Sequence, residues 1–170
     1  MNHVEEAIAM WEMYRRGTIE ELQNLPEEHW DYRAGDGART VRELAVHIAS
    51  SATGFAEELL GEGQFMRLRD PAVRAQYEAR YASAATKADF IDLMTTAGAE
   101  MMTRLRDAAE TLETETMQSF GGERSRASGV WFAAAHEMYH RGQLATYARQ
   151  LGLVPAMTQR SQSGTMPPRR

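Results

Sequence analysis

The stretch Phe132-Ala133-Ala134-Ala135-His136-Glu137-Met138-Tyr139-His140-Arg141-Gly142-Gln143-Leu144 decides how this chain is read. At 100° per residue, Phe132, Ala133, His136, His140, Gln143, Leu144, Tyr147 and Leu151 fall in one stripe of a helix. The two histidines sit in the middle of that stripe and so face a bundle interior. Residues four apart on a helix are stacked neighbours, with Cβ atoms about 5–6 Å apart. Two such imidazoles can each place a nitrogen about 2.0–2.1 Å from one shared ion. The pattern matches H-E-x-x-H of the zinc peptidases, and also the looser H-x-x-x-H of other metal sites.

Outward from this segment the chain reads as helix. Ala, Glu, Arg, Leu and Met dominate, and no β-branched alternation is visible. A first helix is predicted from about residue 3 to 24, carrying Val4, Ile8, Trp11, Ile19 and Leu22. Gly17 interrupts it and Pro26 ends it. The second runs from about Thr40 to Leu60, where Thr40 and Glu43 form a capping box and Gly61 stops the helix. Residues 61–85 are irregular, with a short helix around 72–81. The third long helix spans about 86–111, with Thr86 and Asp89 as its cap signal. The polar, Gly- and Ser-rich stretch 114–128 is read as a loop. The fourth helix covers about 128–150 and ends before Gly152 and Pro155. These elements predict an all-α fold, an antiparallel four-helix bundle with one long irregular connection. One domain is expected over residues 1–155, with 156–170 as a disordered tail.

Composition narrows the function. The chain has 170 residues, 24 acidic and 19 basic, for a formal charge of -5. That balance argues against nucleic acid as a partner. There is no cysteine, which excludes disulfides, thiolate nucleophiles and Cys-held zinc. Any metal must be held by His, Asp or Glu. No apolar run reaches the ~18 residues a membrane span needs, and the N-terminus lacks the pattern of a signal peptide. A soluble cytoplasmic protein with no membrane partner is the expectation.

A third histidine, His47, lies near the middle of the second helix, beside its apolar stripe. A bundle can bring the second and fourth helices together and close a three-His site of His47, His136 and His140. Three neutral imidazoles suit zinc or nickel and leave a position for water or substrate. The competing reading keeps all three as hydrogen-bonded core residues. A peptidase needs a further ligand after H-E-x-x-H. No His, Glu or Asp follows His140, and no strand is predicted that could align a peptide. Glu137 is therefore read as incidental, a supporting or surface carboxylate. Phe132, Gln143 and Tyr147 share the stripe and are candidates to line a cofactor or substrate cavity, against the alternative of core packing.

The run His136-x-x-x-His140-Arg141-Gly142-Gln143-Leu144 with Leu151-Gly152-Leu153 resembles the C-terminal helix of the DinB/YfiT-like superfamily. Thr40-Val41-Arg42-Glu43-Leu44-Ala45-Val46-His47-Ile48 resembles its capped, His-bearing helix, and Leu25-Pro26-Glu27-Glu28 its preceding connection. The resemblance covers about residues 3–155. It implies a four-helix bundle, a homodimer, and a metal held by His47, His136 and His140. It also implies kinship with thiol-dependent transferases and isomerases and with DNA-damage-inducible members. Three candidate ligands with an open position favour a metal-dependent enzyme, a thiol S-transferase or related hydrolase activating a low-molecular-weight thiol or water. The lack of an acid–base pair beside them favours the alternative, a stress-related bundle serving binding or dimerisation without catalysis.

Overall fold

The computed structural model describes residues 2–164. Four long helices form the bundle: α1 (His3–Asn24), α2 (Val41–Leu60), α4 (Lys87–Asp107) and α6 (Arg126–Gln150). Three short ones, α3 (Pro71–Ala82), α5 (Ala109–Thr114) and α7 (Ala156–Gln162), pack around them. The caps foreseen from the sequence form. Thr40 accepts from the Glu43 amide at 3.1 Å and the Glu43 carboxylate accepts from the Thr40 amide at 2.7 Å. Thr86 and Asp89 repeat the arrangement at the start of α4. Each box satisfies amide groups that a helix start leaves unpaired.

Side-chain contacts fix the directions. Trp11 and Arg15 of α1 meet Glu137 of α6, Gly17 lies under Arg141, and Asn24 reaches Val154, so α1 and α6 run parallel. His47 meets His140 while Arg126 reaches the Leu59 carbonyl, so α2 runs against α6. Glu12 pairs with Arg106 and Arg15 lies across Gly98, so α4 runs against α1 and therefore parallel to α2. Two parallel helices in succession need a crossover. The long connection supplies it, and α3 carries the chain back along α2, with Tyr81 Oη 2.7 Å from Thr53 Oγ1.

The core divides into two apolar clusters. One gathers Trp11, Phe55, Leu59, Phe65, Met102 and Leu105. The other gathers Leu22, Trp30, Leu44, Ile48, Tyr81 and Phe90. Between them lies a polar belt of Arg15, Thr18, His47, Ser50, Glu137 and His140. Two of the three sequence-predicted histidines, His47 and His140, fall in this belt, and His136 lies beside it, half-buried.

Two regions differ from expectation. Residues 116–125, expected as loop, form a hairpin of β1 (Thr116–Ser119) and β2 (Gly122–Ser125), with Thr116 opposite Ser125 and Ser119 opposite Gly122. Met117 is its buried anchor, and Gln118 N donates to the Gly63 carbonyl at 2.7 Å. Residues 156–162, expected as part of a disordered tail, form α7. Glu21 of α1 accepts from the Ala156 and Met157 amides at 2.9 and 3.3 Å, and Arg160 pairs with Glu20. A carboxylate at a helix start offsets unpaired amides and the local dipole, and here it comes from another helix. The end of that predicted tail, residues 165–170, lies outside the described residues.

The hairpin docks where α6 carries Gly129. A Cβ there would stand 2.5 Å from Met117 Sδ and 2.8 Å from Leu59 Cδ2. Both side chains are buried, so either must repack against its neighbours to make room. Gly129→Ala is expected to destabilise the protein by about 1–3 kcal/mol, the usual cost of overpacking, read as a lower urea midpoint. No change or a gain would show that this contact yields freely.

Candidate metal centre

α6 lies between α1 and α2, so two of its faces are in use. Glu137 faces α1, and His136 and His140 face α2, where His47 meets them. Candidate ligand atoms of the three histidines all lie within 4.8 Å of one another. His47 Nε2 and His140 Nε2 are 3.1 Å apart. Ring centroids are 4.5 Å apart for His136 and His140, 4.6 Å for His47 and His140, and 5.3 Å for His47 and His136. Among the described residues no carboxylate joins the cluster. His140 is buried, while His47 and His136 are half-buried at the α2–α6 seam. The site therefore opens sideways from the bundle instead of lying sealed in its centre.

Hydrogen bonds orient two of the rings. His140 Nδ1 is 2.8 Å from Gln143 Oε1, so it donates to the amide oxygen and leaves the Nε2 lone pair facing the site. His47 Nδ1 lies 3.4 Å from the Ser51 hydroxyl. Burial lowers the pKa of all three. It pushes His47 down to about 3, with Arg39 adding to the effect, and His136 down to about 4, with His140 adding to it. His140 is lowered by burial against the opposing Gln143 hydrogen bond. At neutral pH all three rings are uncharged, the state a metal ligand requires.

Those shifts set a sign for pH dependence. The unfolded histidines titrate near their ordinary 6.5, so on acidification the unfolded chain takes up protons first. The chelator-treated fold keeps its full stability above about pH 6.5. It loses stability as pH falls toward the values near 4 and 3 at which His136 and His47 protonate in place. The expected result is a lower urea midpoint at pH 5 than at pH 7.5, with the difference reduced in the triple His→Gln variant. An equal difference in that variant would contradict the assignment.

The other sequence candidates separate. Phe132 is 40 % exposed and lines a cavity beside His47 and His136. Gln143 acts on His140, as described. Tyr147 points elsewhere: its hydroxyl donates to the Arg39 carbonyl at 2.9 Å and its ring packs edge-on against Tyr32. Glu137 is neither incidental nor at the surface. It is 1 % exposed, and its Oε2 accepts from Trp11 Nε1 at 2.8 Å and from Arg15 Nη2 at 2.9 Å. Arg15 Nε also stands 2.7 Å from Oε1, in a charge contact without hydrogen-bond alignment. Held this way, the carboxylate cannot serve as a peptidase base. The sole sheet among the described residues, the hairpin, lies outside the histidine cluster.

The cavity also takes Phe55 from the apolar stripe of α2, and residues that sequence spacing did not single out: Arg74, Tyr77 and Glu78 from α3, and Phe120 from the hairpin turn. Arg74, Tyr77 and Glu78 are spaced i, i+3, i+4, which was the available sign of one shared helical face.

The DinB family profile matches residues 1–169. The chain belongs to the DinB family. Solved structures of two Bacillus subtilis proteins share the DinB fold seen here. The DinB-like protein YjoA superposes with a TM-score of 0.65 at 22% identity, covering 86% of this chain and 92% of its own. YfiT, described as "a probable metal-dependent hydrolase with an unusual four-helix bundle topology", has a TM-score of 0.65 at 16% identity, covering 88% of each chain. No curated protein matched the sequence. No helix among the described residues of this DinB-family chain is long and apolar enough to cross a membrane.

Proposed function

We propose that this DinB-family chain is a metal-dependent enzyme in which His47, His136 and His140 hold one divalent ion, zinc or nickel. The observation that carries the reading is the convergence of three neutral imidazoles from two helices, with no carboxylate among them, at the edge of a cavity. Neutral imidazole suits both metals. Two nitrogens about 2.05 Å from one ion at the tetrahedral angle stand about 3.4 Å apart, close to the 3.1 Å between His47 Nε2 and His140 Nε2. Bound there, such an ion lowers the pKa of a coordinated water or thiol and so provides a nucleophile at neutral pH.

The protein's own share is orientation. Gln143 fixes the His140 tautomer, and Ser51 can accept an Nδ1–H from His47 when that ring turns its Nε2 lone pair inward. The chain has no cysteine, so a thiol nucleophile comes from a low-molecular-weight cofactor and the activity is S-transferase-like. With water in its place the activity is hydrolytic. Cobalt-loaded protein distinguishes them. Adding glutathione is expected to produce a thiolate-to-cobalt charge-transfer band that is absent in His136→Ala. A spectrum indifferent to thiol contradicts the transferase form.

A non-catalytic bundle serving binding or dimerisation is the alternative, and it requires an exposed face for a partner. The outer face of α6 exposes Trp131, Met138 and Tyr139 at 40, 47 and 65 %. Under either reading we assign that face to a second copy of the chain, to be checked by light scattering of wild type and Met138→Glu.

A further inference from the structure

Two cavities flank His47. The first, about 270 Å³, is walled by Phe55, Phe120 and Phe132, with His47 and His136 beside them. The second, about 340 Å³, shares His47 and Glu78 with the first and contains Arg39. Phe132 stands 5.4 Å from Phe55 and 5.6 Å from Phe120, centroid to centroid, so the rings form a continuous apolar wall. The hairpin turn brings Phe120 to this wall.

The charges around the wall are unevenly matched. In the second cavity Arg42 pairs with Asp31 and Glu43 with Arg33. In the first, Arg69 lies over the Phe120 ring at 5.2 Å. Arg39 and Arg74 have no acidic side chain within ion-pair distance among the described residues. Glu78 is the remaining carboxylate, on the wall common to both cavities. The guanidiniums exceed the carboxylates, and guanidinium matches planar oxyanions well.

We propose that the site accepts an amphipathic carboxylate, with a body of about one aromatic ring seated among Phe55, Phe120 and Phe132 and the anionic group facing Arg74. A volume of about 270 Å³ is at the small end for a ligand pocket, room for a ring with a short chain. This names a substrate class for the three-His enzyme and rests on that reading for where reaction occurs. The ring and anion contacts themselves need no ion.

The test is a ligand-observed NMR titration of the full chain, zinc-loaded and chelated, with 3-phenylpropionate, 3-phenyl-1-propanol and 3-phenylpropylamine. In chelated wild type the acid is expected to bind roughly two- to fivefold tighter than the alcohol, a modest factor because Arg74 reaches solvent. The amine should bind most weakly. Arg74→Gln should abolish the preference for acid, and Phe132→Ala should weaken all three alike. Equal binding of acid and alcohol, or acid binding indifferent to both substitutions, would overturn the proposal. So would acid binding that occurs only with zinc, which marks a carboxylate that merely coordinates the ion and leaves the three-His reading intact. The expected ranking in a protein that takes up no zinc would support the ligand class and reject the metal reading.

Discussion

Glu137→Ala is expected to cost about 3–5 kcal/mol of stability, the range for stripping one partner from a buried ion pair. The substitution leaves the Arg15 guanidinium, in a residue only 5 % exposed, with no counter-charge, and leaves the buried Trp11 indole N–H without its acceptor. For a chain of this size the loss corresponds to roughly 6–20 °C in Tm. The pair costs free energy to desolvate, so replacing both members with apolar residues should restore most of it. Arg15→Met with Glu137→Leu is therefore expected to melt well above Glu137→Ala. A peptidase base would behave in the opposite way, losing activity with the fold intact. Near-wild-type stability of Glu137→Ala would remove the role assigned here.

The second large effect is on metal. His140→Ala, and separately His136→Ala, is expected to abolish retention of a divalent ion through dialysis against a weak chelator. Gln143→Ala removes only the acceptor that orients His140, and is expected to lower affinity by about 10–100-fold. Calorimetric titration with zinc ranks the variants. Gln143→Ala is expected to lie between wild type and the histidine variants, and equal affinity across all four would contradict the role given to Gln143.

The sequence made the helices and their caps legible because the determinants are local. Thr40 with Glu43 and Thr86 with Asp89 act over three residues, and Pro26 and Gly61 stop helices at their own positions. The histidine cluster was legible for a related reason: i,i+4 spacing on α6 and a mid-helix position on α2 leave few ways to pack. Glu137 was not legible, because its partners Trp11 and Arg15 lie 126 and 122 residues away. Its burial depends on α6 having α1 on one side and α2 on the other, which periodicity along one helix does not encode. Helix α7 was hidden similarly. Its own residues are polar, and the carboxylate that caps it belongs to Glu21. The hairpin has one buried residue, Met117, across two four-residue strands, too few to produce an alternating pattern. Its Gly121-Gly122 turn was readable only as a break.

The three-His site is tested by the metal content of the untagged protein, measured by elemental analysis after purification and again after reloading with zinc. One divalent ion per chain is expected in wild type, and none retained in the His47→Ala, His136→Ala and His140→Ala variants. A folded wild type that holds no stoichiometric ion after reloading, or histidine variants that hold as much as wild type, would contradict it.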